Sequence, residues 1–164
     1  MESLEVLLKA GADTEIRNYE NQDTALCVAA KQNTVEAVML LISHKANVDV
    51  QSASGASPLH YASHSKTVNI LKLLLDEGAD VNVHDNLGRT PLHHAARHGS
   101  RQVVEQLMDA GSDVNIVDNS GHSALHQAVY NGKCENVSVL TTLGADVNLR
   151  TKSGKTPLDV AGLF

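Results

Sequence analysis

The feature that most constrains the fold is a sequence unit that recurs with a period of about 33 residues. It is clearest in residues 88–99, which read GRTPLHHAARHG. Three of its positions keep a similar residue at five places along the chain, always with the same step: Thr24, Ser57, Thr90, Ser123 and Thr156; Leu26, Leu59, Leu92, Leu125 and Leu158; and Ala29, Ala62, Ala95, Ala128 and Ala161. Self-similarity of this length indicates a solenoid, in which each unit buries its apolar face against its neighbours.

The first half of the unit carries the signals of a short helix. Thr90 can cap the helix with its hydroxyl, and Pro91 suits the first helical position because its missing N–H is not needed there. His93, three residues after the cap, can reach back to it as the acidic residue of a capping box does. Gly99 is expected to end the helix in the left-handed conformation. Lys66 takes that place one unit earlier, so a non-glycine residue is expected to adopt positive φ there.

The second half of the unit predicts another helix, because apolar residues such as Val103 and Leu107 recur on one helix face. In the later units, the glycine that ends this helix precedes the next helix cap by a constant spacing, as from Gly78 to Thr90. The stretch from Gly11 to Thr24 is one residue longer. One extra residue is therefore expected in the first turn, within residues 18–22.

A period of about 33 residues with Thr-Pro-Leu-His resembles the ankyrin-repeat family, and the resemblance covers essentially the whole chain. It implies an all-α solenoid of stacked helix–turn–helix units with projecting β-turn fingers. One domain over residues 1–164 would then comprise a half repeat at 1–18, full repeats at 19–51, 52–84, 85–117 and 118–150, and a half repeat at 151–164.

Both ends fall within a repeat, so we expect the chain to be a fragment of a longer array. Arrays normally end in atypical units with a polar outer face. Leu163 and Phe164 are apolar, and the alternative is that they fold over the last unit as a cap.

Charge and composition exclude several classes of function. A net charge of −6 argues against general affinity for nucleic acid or anionic membranes, since both reward dense Lys and Arg. No apolar run approaches the roughly 20 residues of a membrane span. Cys27 and Cys134 lie three repeats apart, too far for a disulfide, because stacked helices are separated by about 8–10 Å. Free thiols fit a reducing compartment, so we predict an intracellular protein, cytoplasmic or nuclear.

Nine histidines are the main candidates for chemistry. His60, His93 and His126 share one repeat position, which indicates a structural role in capping and in contacts with the next repeat. His94 and His98 lie four residues apart on one helix face, as metal ligands do, and the repeat register brings His64 towards them. A zinc-binding module through His64, His94 and His98 is therefore an alternative. We expect no carboxylate to orient these rings, and we predict no catalytic residue, metal or cofactor.

The family resemblance also implies where a partner docks: on a concave groove lined by the finger tips and the exposed face of the first helices. In this chain the corresponding residues are Glu20, Asp23, Lys31, Ser54, Ala56, His64, Asn86, Leu87, Arg89, His94, Arg97, His98, Ser120, His122, Tyr130, Asn131, Lys152 and Lys155. The first finger carries Glu20 and Asp23, whereas positive charge is supplied later by Arg89, Arg97, Lys152 and Lys155. This distribution predicts a groove that attracts an acidic segment of a partner.

The sequence thus predicts a monomeric, non-catalytic module that binds a partner protein as a scaffold, adaptor or regulator. A structural spacer within a larger protein is the other alternative. The family resemblance further implies possible sites of asparaginyl hydroxylation at Asn82, Asn115 and Asn148, although a structural role of asparagine in these loops would equally account for them.

Overall fold

The computed structural model describes residues 2–162 and contains ten helices within that range. In chain order they are α1 (Glu2–Lys9), α2 (Ala25–Lys31), α3 (Val35–Ser43), α4 (Pro58–Ala62), α5 (Asn69–Asp76), α6 (Pro91–His98), α7 (Arg101–Asp109), α8 (Ala124–Tyr130), α9 (Cys134–Thr142) and α10 (Pro157–Ala161). The only β pairing in residues 2–162 is an isolated bridge between Val117 and Ser123. The predicted all-α solenoid of paired helices is confirmed.

The first helix of each later unit begins as the capping signals predict. In α6, Pro91 occupies the first turn and the ring Nδ1 of His93 accepts the backbone N–H of Thr90 at 3.1 Å. The same bond joins His60 to Ser57 and His126 to Ser123. A backbone N–H that would otherwise be buried without a partner is thereby satisfied.

The second ring nitrogen of these histidines connects each unit to the next. Because Nδ1 accepts a hydrogen bond, Nε2 carries the proton and donates it to a backbone carbonyl. The acceptors are Arg89 for His60 at 2.9 Å, His122 for His93 at 3.0 Å and Lys155 for His126 at 3.2 Å. The predicted structural role of the three histidines is confirmed.

The core runs through the stack as one continuous layer. The leucine two residues after the helix cap is almost fully buried in all four full units: Leu26, Leu59, Leu92 and Leu125. Ala95 and Ala96 have no exposed surface, and such small side chains allow adjacent first helices to approach closely. The second helices contribute Leu41, Leu74, Leu107 and Leu140. Because each unit buries these residues against its neighbours, the stack positions every turn relative to the next.

The turns between units form a row of projecting fingers joined by backbone hydrogen bonds. Asn86 N–H donates to the carbonyl of Ser54, and Asn119 N–H donates to that of Leu87. In the first finger, the bond that closes the turn runs from Asn18 N–H to Asp23 C=O, five residues apart. The corresponding bonds of the later fingers span four residues, so the first finger holds the extra residue that the spacing predicts.

The left-handed conformation expected at Gly99 and Lys66 is wrong for these two residues, although Asn33 and Gly132 at the same repeat position have φ 56° and 64°. Gly99 has φ −70° and ψ 171°, which is extended rather than left-handed. Lys66, at the same repeat position, is not among the residues with positive φ. Glycine is required at position 99 for space instead: an added Cβ would lie 2.8 Å from the carbonyl oxygen of Ser63 and 2.9 Å from that of Ala95.

The structure also bears on the expectations for the cysteines, for membrane-spanning helices and for the last two residues. Cys27 and Cys134 are both free; Cys27 is buried and Cys134 is exposed. Among residues 2–162 there is no helix with the length and apolar character needed to cross a membrane. The proposed cap of Leu163 and Phe164 lies outside the described residues.

Candidate partner-binding surface

Most residues predicted to contact a partner are accessible, on the finger tips and at the ends of the first helices. Exposed members are Glu20, Lys31, Ser54, His64, Asn86, Leu87, His98, Ser120, Tyr130, Lys152 and Lys155. Partly exposed members are Arg89, His94, Arg97, His122 and Asn131. We refer to these sixteen as the groove residues.

Two of the predicted contact residues are buried, which corrects their assignment to the surface. Asp23 is 2% exposed, and its carboxylate accepts a hydrogen bond from the Tyr61 hydroxyl at 3.0 Å. Ala56 is 6% exposed beneath the second finger. Both side chains face the packed interior of the turn, so neither can contact a partner without rearrangement.

Arg89 is bound within its own finger and is not a free cation. Its Nε and one terminal nitrogen lie 2.9 and 2.7 Å from Oδ2 of Asp85. Asp85 is buried, and its Oδ1 accepts the backbone N–H groups of Leu87 and Arg89. Burial raises the pKa of Asp85, but hydrogen bonds from His94 and Arg89 outweigh that effect and hold the pKa far below its usual range. Arg89 therefore stabilises the finger and neutralises Asp85.

Asp85 also begins a hydrogen-bonded chain of two histidines. Nε2 of His94 lies 3.0 Å from Oδ2 of Asp85, and Nδ1 of His94 lies 2.7 Å from Nε2 of His64. The His98 ring is tilted against that of His64, with 5.0 Å between centroids. The expectation that no carboxylate orients these rings is wrong, because the finger folds Asp85 back onto the helix that carries His94.

Burial keeps several of these imidazoles neutral. Loss of solvation is the main cause that lowers the pKa of His60 and of His93 to about 4. Partial burial of the His64 ring, followed by the proximity of His94 and His98, lowers the pKa of His64 to about 4 as well. The pKa of His98 is lowered too, mainly by burial and then by Arg97. At neutral pH, His60, His64 and His93 are therefore uncharged.

Arg97 is the groove arginine that makes no ion pair with any described residue. Its Nε is buried and has no hydrogen-bond partner within residues 2–162. The side chain separates two cavities. One, of about 160 Å³, is lined by His64, Arg89, His93, His94, His98 and Gln127. The other, of about 260 Å³, is lined by His122, His126, Gln127 and Tyr130. The middle of the groove thus combines imidazoles and an exposed tyrosine with an arginine that has no counter-ion among the described residues.

Another cavity lies at the amino-terminal end. It measures about 570 Å³ and is mainly apolar, with Leu4, Ile16, Ala29 and Leu41 in its wall. Its walls come from α1, α2, α3 and the first finger.

The asparagines considered for hydroxylation have structural contacts. Oδ1 of Asn82 accepts the backbone N–H of Asp113 at 3.0 Å, and Oδ1 of Asn115 accepts that of Asp146 at 2.8 Å. The backbone N–H of Asn148 donates to the Asp146 carboxylate at 2.8 Å. The first two side chains therefore connect the loops of successive units.

Two important polar residues were missed in the sequence. Asp85 was not singled out, although its position at the base of a finger is the signal that it could reach the next helix. Asn136 is 2% exposed, and its side-chain amide donates to the carbonyls of Ala95, Ala96 and Gly99 at 3.2–3.3 Å. An asparagine where other repeats carry Ile70 or Val103 is a visible departure from the apolar pattern.

Comparison with known proteins agrees with this architecture. The family model for ankyrin repeats in three copies matches residues 1–85 and again residues 66–151. The chain is 45% identical over 51 residues to the human ankyrin repeat and protein kinase domain-containing protein 1, which is 31% of this chain and 7% of that protein. It is 39% identical over 62 residues to the mouse B-cell lymphoma 3 protein homolog, which is 38% of this chain and 14% of that protein. The similarity thus spans only a small part of either relative.

Proposed function

Since the chain belongs to the ankyrin-repeat family, we propose that it is a non-catalytic module that binds a segment of a partner protein along the groove residues. Ankyrin repeats are protein-interaction modules, and each unit presents different groove side chains on the same scaffold. Free cysteines fit a reducing compartment, so the partner is expected in the cytosol or nucleus.

The arrangement around Arg97 is the observation that carries this proposal. A guanidinium with no carboxylate partner among the described residues, between two cavities, is suited to an acidic side chain of a partner. Tyr130 and Leu87 are 54% and 56% exposed and can provide apolar contacts. Tyrosine and arginine supply much of the binding energy at protein interfaces. The expected partner segment therefore combines a carboxylate with an apolar neighbour.

The test is affinity capture from cell lysate with the variant Arg97→Glu/Tyr130→Ala. A matched control, Lys72→Glu/Met39→Ala, makes the same changes of charge and apolar surface on exposed residues of the second helices α5 and α3. We expect the groove variant to lose a partner that the control retains. Arg89 is left unchanged because its substitution would disturb the finger that Asp85 stabilises.

Salt dependence gives the second readout. Captured partner should decrease as ionic strength rises, because salt screens charge pairs at an accessible surface. Equal capture by both variants, or none by the unmodified chain, would contradict a groove-binding function and favour a structural spacer. Circular dichroism of both variants provides the control for folding.

A further inference from the structure

The histidines between the second and third full units form a cluster that neither helix capping nor turn structure requires. We propose that His64, His94 and His98 bind one divalent transition-metal ion that prefers imidazole ligands, such as Zn²⁺, and that the ion links these two units. His64 follows α4, whereas His94 and His98 lie on α6. A bound ion would therefore join the end of α4 to α6, in addition to the hydrogen bond between His64 and His94.

Asp85 prepares His94 for this role. A carboxylate only accepts hydrogen bonds, so the proton of neutral His94 lies on Nε2, which is 3.0 Å from Oδ2 of Asp85. The lone pair of Nδ1 then points away from Asp85 towards His64. Metal-bound histidines commonly donate their other N–H to a carboxylate, which fixes the tautomer and ring orientation. Asp85 is buried and held by its own finger, so this orientation is set before any ion binds.

His64 needs only a change of tautomer to become the second ligand. Its Nε2 lies 2.7 Å from Nδ1 of His94, and because Nδ1 of His94 holds a lone pair, Nε2–H of His64 donates to it. When that proton moves to Nδ1 of His64, two lone pairs face the same point without a change in net charge. Nitrogens that bind one Zn²⁺ at about 2.0–2.1 Å lie about 3.3 Å apart, so these rings have to separate by about 0.6 Å. Part of the His64 side chain is open to solvent, so its ring can move outward.

His98 supplies the third ligand by turning its ring. The rings of His64 and His98 are 5.0 Å apart, and both line the cavity of about 160 Å³ that His94 also lines. Among the described residues, the nitrogens of these three rings do not all converge in the present rotamers. His98 is exposed, and exposed side chains change rotamer readily. Three imidazoles leave a fourth position open to water or to a side chain of a partner.

The tightest group of metal-binding side chains in the described part of the chain is a different one. Ligand atoms of His60, Asp85 and His94 lie within 4.8 Å of one another. Both nitrogens of His60 are already used, by the Ser57 N–H and the Arg89 carbonyl. Oδ2 of Asp85 is already occupied by donors from Arg89 and His94. This group is a satisfied hydrogen-bond network, and the available lone pairs are on the opposite side of His94.

The positive charge of Arg97 should oppose binding of a metal ion, and this gives the proposal an additional test. Asp85 neutralises Arg89, but Arg97 lines the same cavity and keeps its positive charge. Repulsion between Arg97 and a divalent ion should weaken binding. Arg97→Gln is therefore expected to bind Zn²⁺ more tightly, whereas a change at Arg97 is expected to weaken partner binding. The two functions can thus fail independently.

The experiment is calorimetric titration of Zn²⁺ into the chain without a polyhistidine tag at neutral pH. The replacement residues are taken from other repeats of the chain: Lys31 is equivalent to His64, Gln127 to His94 and Asn131 to His98. We expect one ion per chain, loss of saturable binding in His64→Lys and His94→Gln, and weaker binding in His98→Asn. Asp85→Asn, which keeps the Oδ1 acceptor of the finger, should weaken binding by roughly 10- to 100-fold.

His84→Ala provides the control, since His84 is exposed and lies outside the cluster. The unmodified chain and this control should both unfold at a higher temperature with Zn²⁺, and a chelator should reverse the shift. His94→Gln should show no shift. Absence of saturable binding in the unmodified chain, or unchanged binding in His94→Gln, would overturn the metal site.

Discussion

The first and third full units have the same helical fold but differ in the residues that stabilise it. In the third unit, His93 completes a capping box and bonds to the next unit. In the first unit, Cys27 occupies that position, and the Thr24 side chain accepts only the Cys27 N–H at 3.5 Å. Within residues 2–162, every non-glycine residue with positive φ lies in the first unit: Gln22, Asn33 and Lys45. A repeat fold therefore tolerates a weaker helix cap and unfavourable φ angles in one unit, because the neighbouring units supply the packing.

Acidification is expected to have the largest effect, and it should act on the third unit more than on the first. The pKa of His60 and of His93 is about 4 in the folded chain and about 6.5 when unfolded. The unfolded chain therefore binds more protons between these values. Stability is complete above about pH 6.5 and falls towards pH 4, by about 1.4 kcal/mol per pH unit for each histidine.

Hydrogen exchange, corrected for intrinsic rates, measures this difference within one molecule. The opening free energy of α6 should fall between neutral pH and pH 4.5, whereas that of α2 should fall less because no histidine caps it. Equal losses in both helices, or a stability independent of pH, would show that the capping histidines do not account for acid sensitivity.

Removal of the capping side chain is the next largest effect. His93→Ala leaves the buried Thr90 N–H without a partner and removes one of the two hydrogen bonds that the His122 carbonyl accepts, so it should lower the free energy of unfolding by about 2–4 kcal/mol. Cys27→Ala removes only a small apolar group and should lower it by about 1 kcal/mol. Urea unfolding of both variants tests the comparison. Similar values for both would mean that packing, and not capping, distinguishes the two units.

These differences were only partly predictable from the sequence. The repeat period and the caps follow from local patterns, so the paired helices and the roles of His60, His93 and His126 were predicted correctly. The conformation of Gly99 was not, because a repeated glycine can serve either positive φ or close packing, and only the distance to the Ser63 carbonyl distinguishes them. Asp85 was missed as the partner of His94 because their contact depends on how a finger folds back onto a helix.

The candidate partner-binding surface was likewise only partly predictable from the sequence. Repeat position located the finger tips and helix ends, and most predicted groove residues are accessible. It could not reveal that Asp23 bonds Tyr61 or that Arg89 is neutralised by Asp85. Side-chain pairing within a finger depends on turn geometry, which the repeat period does not determine. The charge available to a partner therefore differs from the charge counted along the sequence.

The smallest expected effect comes from the backbone at the end of the second helices. Lys45 has φ 62°, whereas Gly78, one repeat later, has φ 85° and would meet nothing within 4 Å if it carried a Cβ. The left-handed conformation costs a non-glycine residue about 1–2 kcal/mol, and the flexibility of glycine in the unfolded chain offsets about 0.4–1 kcal/mol of that difference. Lys45→Gly should therefore stabilise the chain by about 0.5–1 kcal/mol, and Gly78→Lys should destabilise it by a similar amount. Urea unfolding of the single and double variants measures both changes in the free energy of unfolding. Because the sites are in different units, the two changes should cancel and the double variant should match the unmodified chain. If both single variants changed the free energy of unfolding in the same direction, side-chain contacts of Lys45, and not its φ, would set the stability of the first unit.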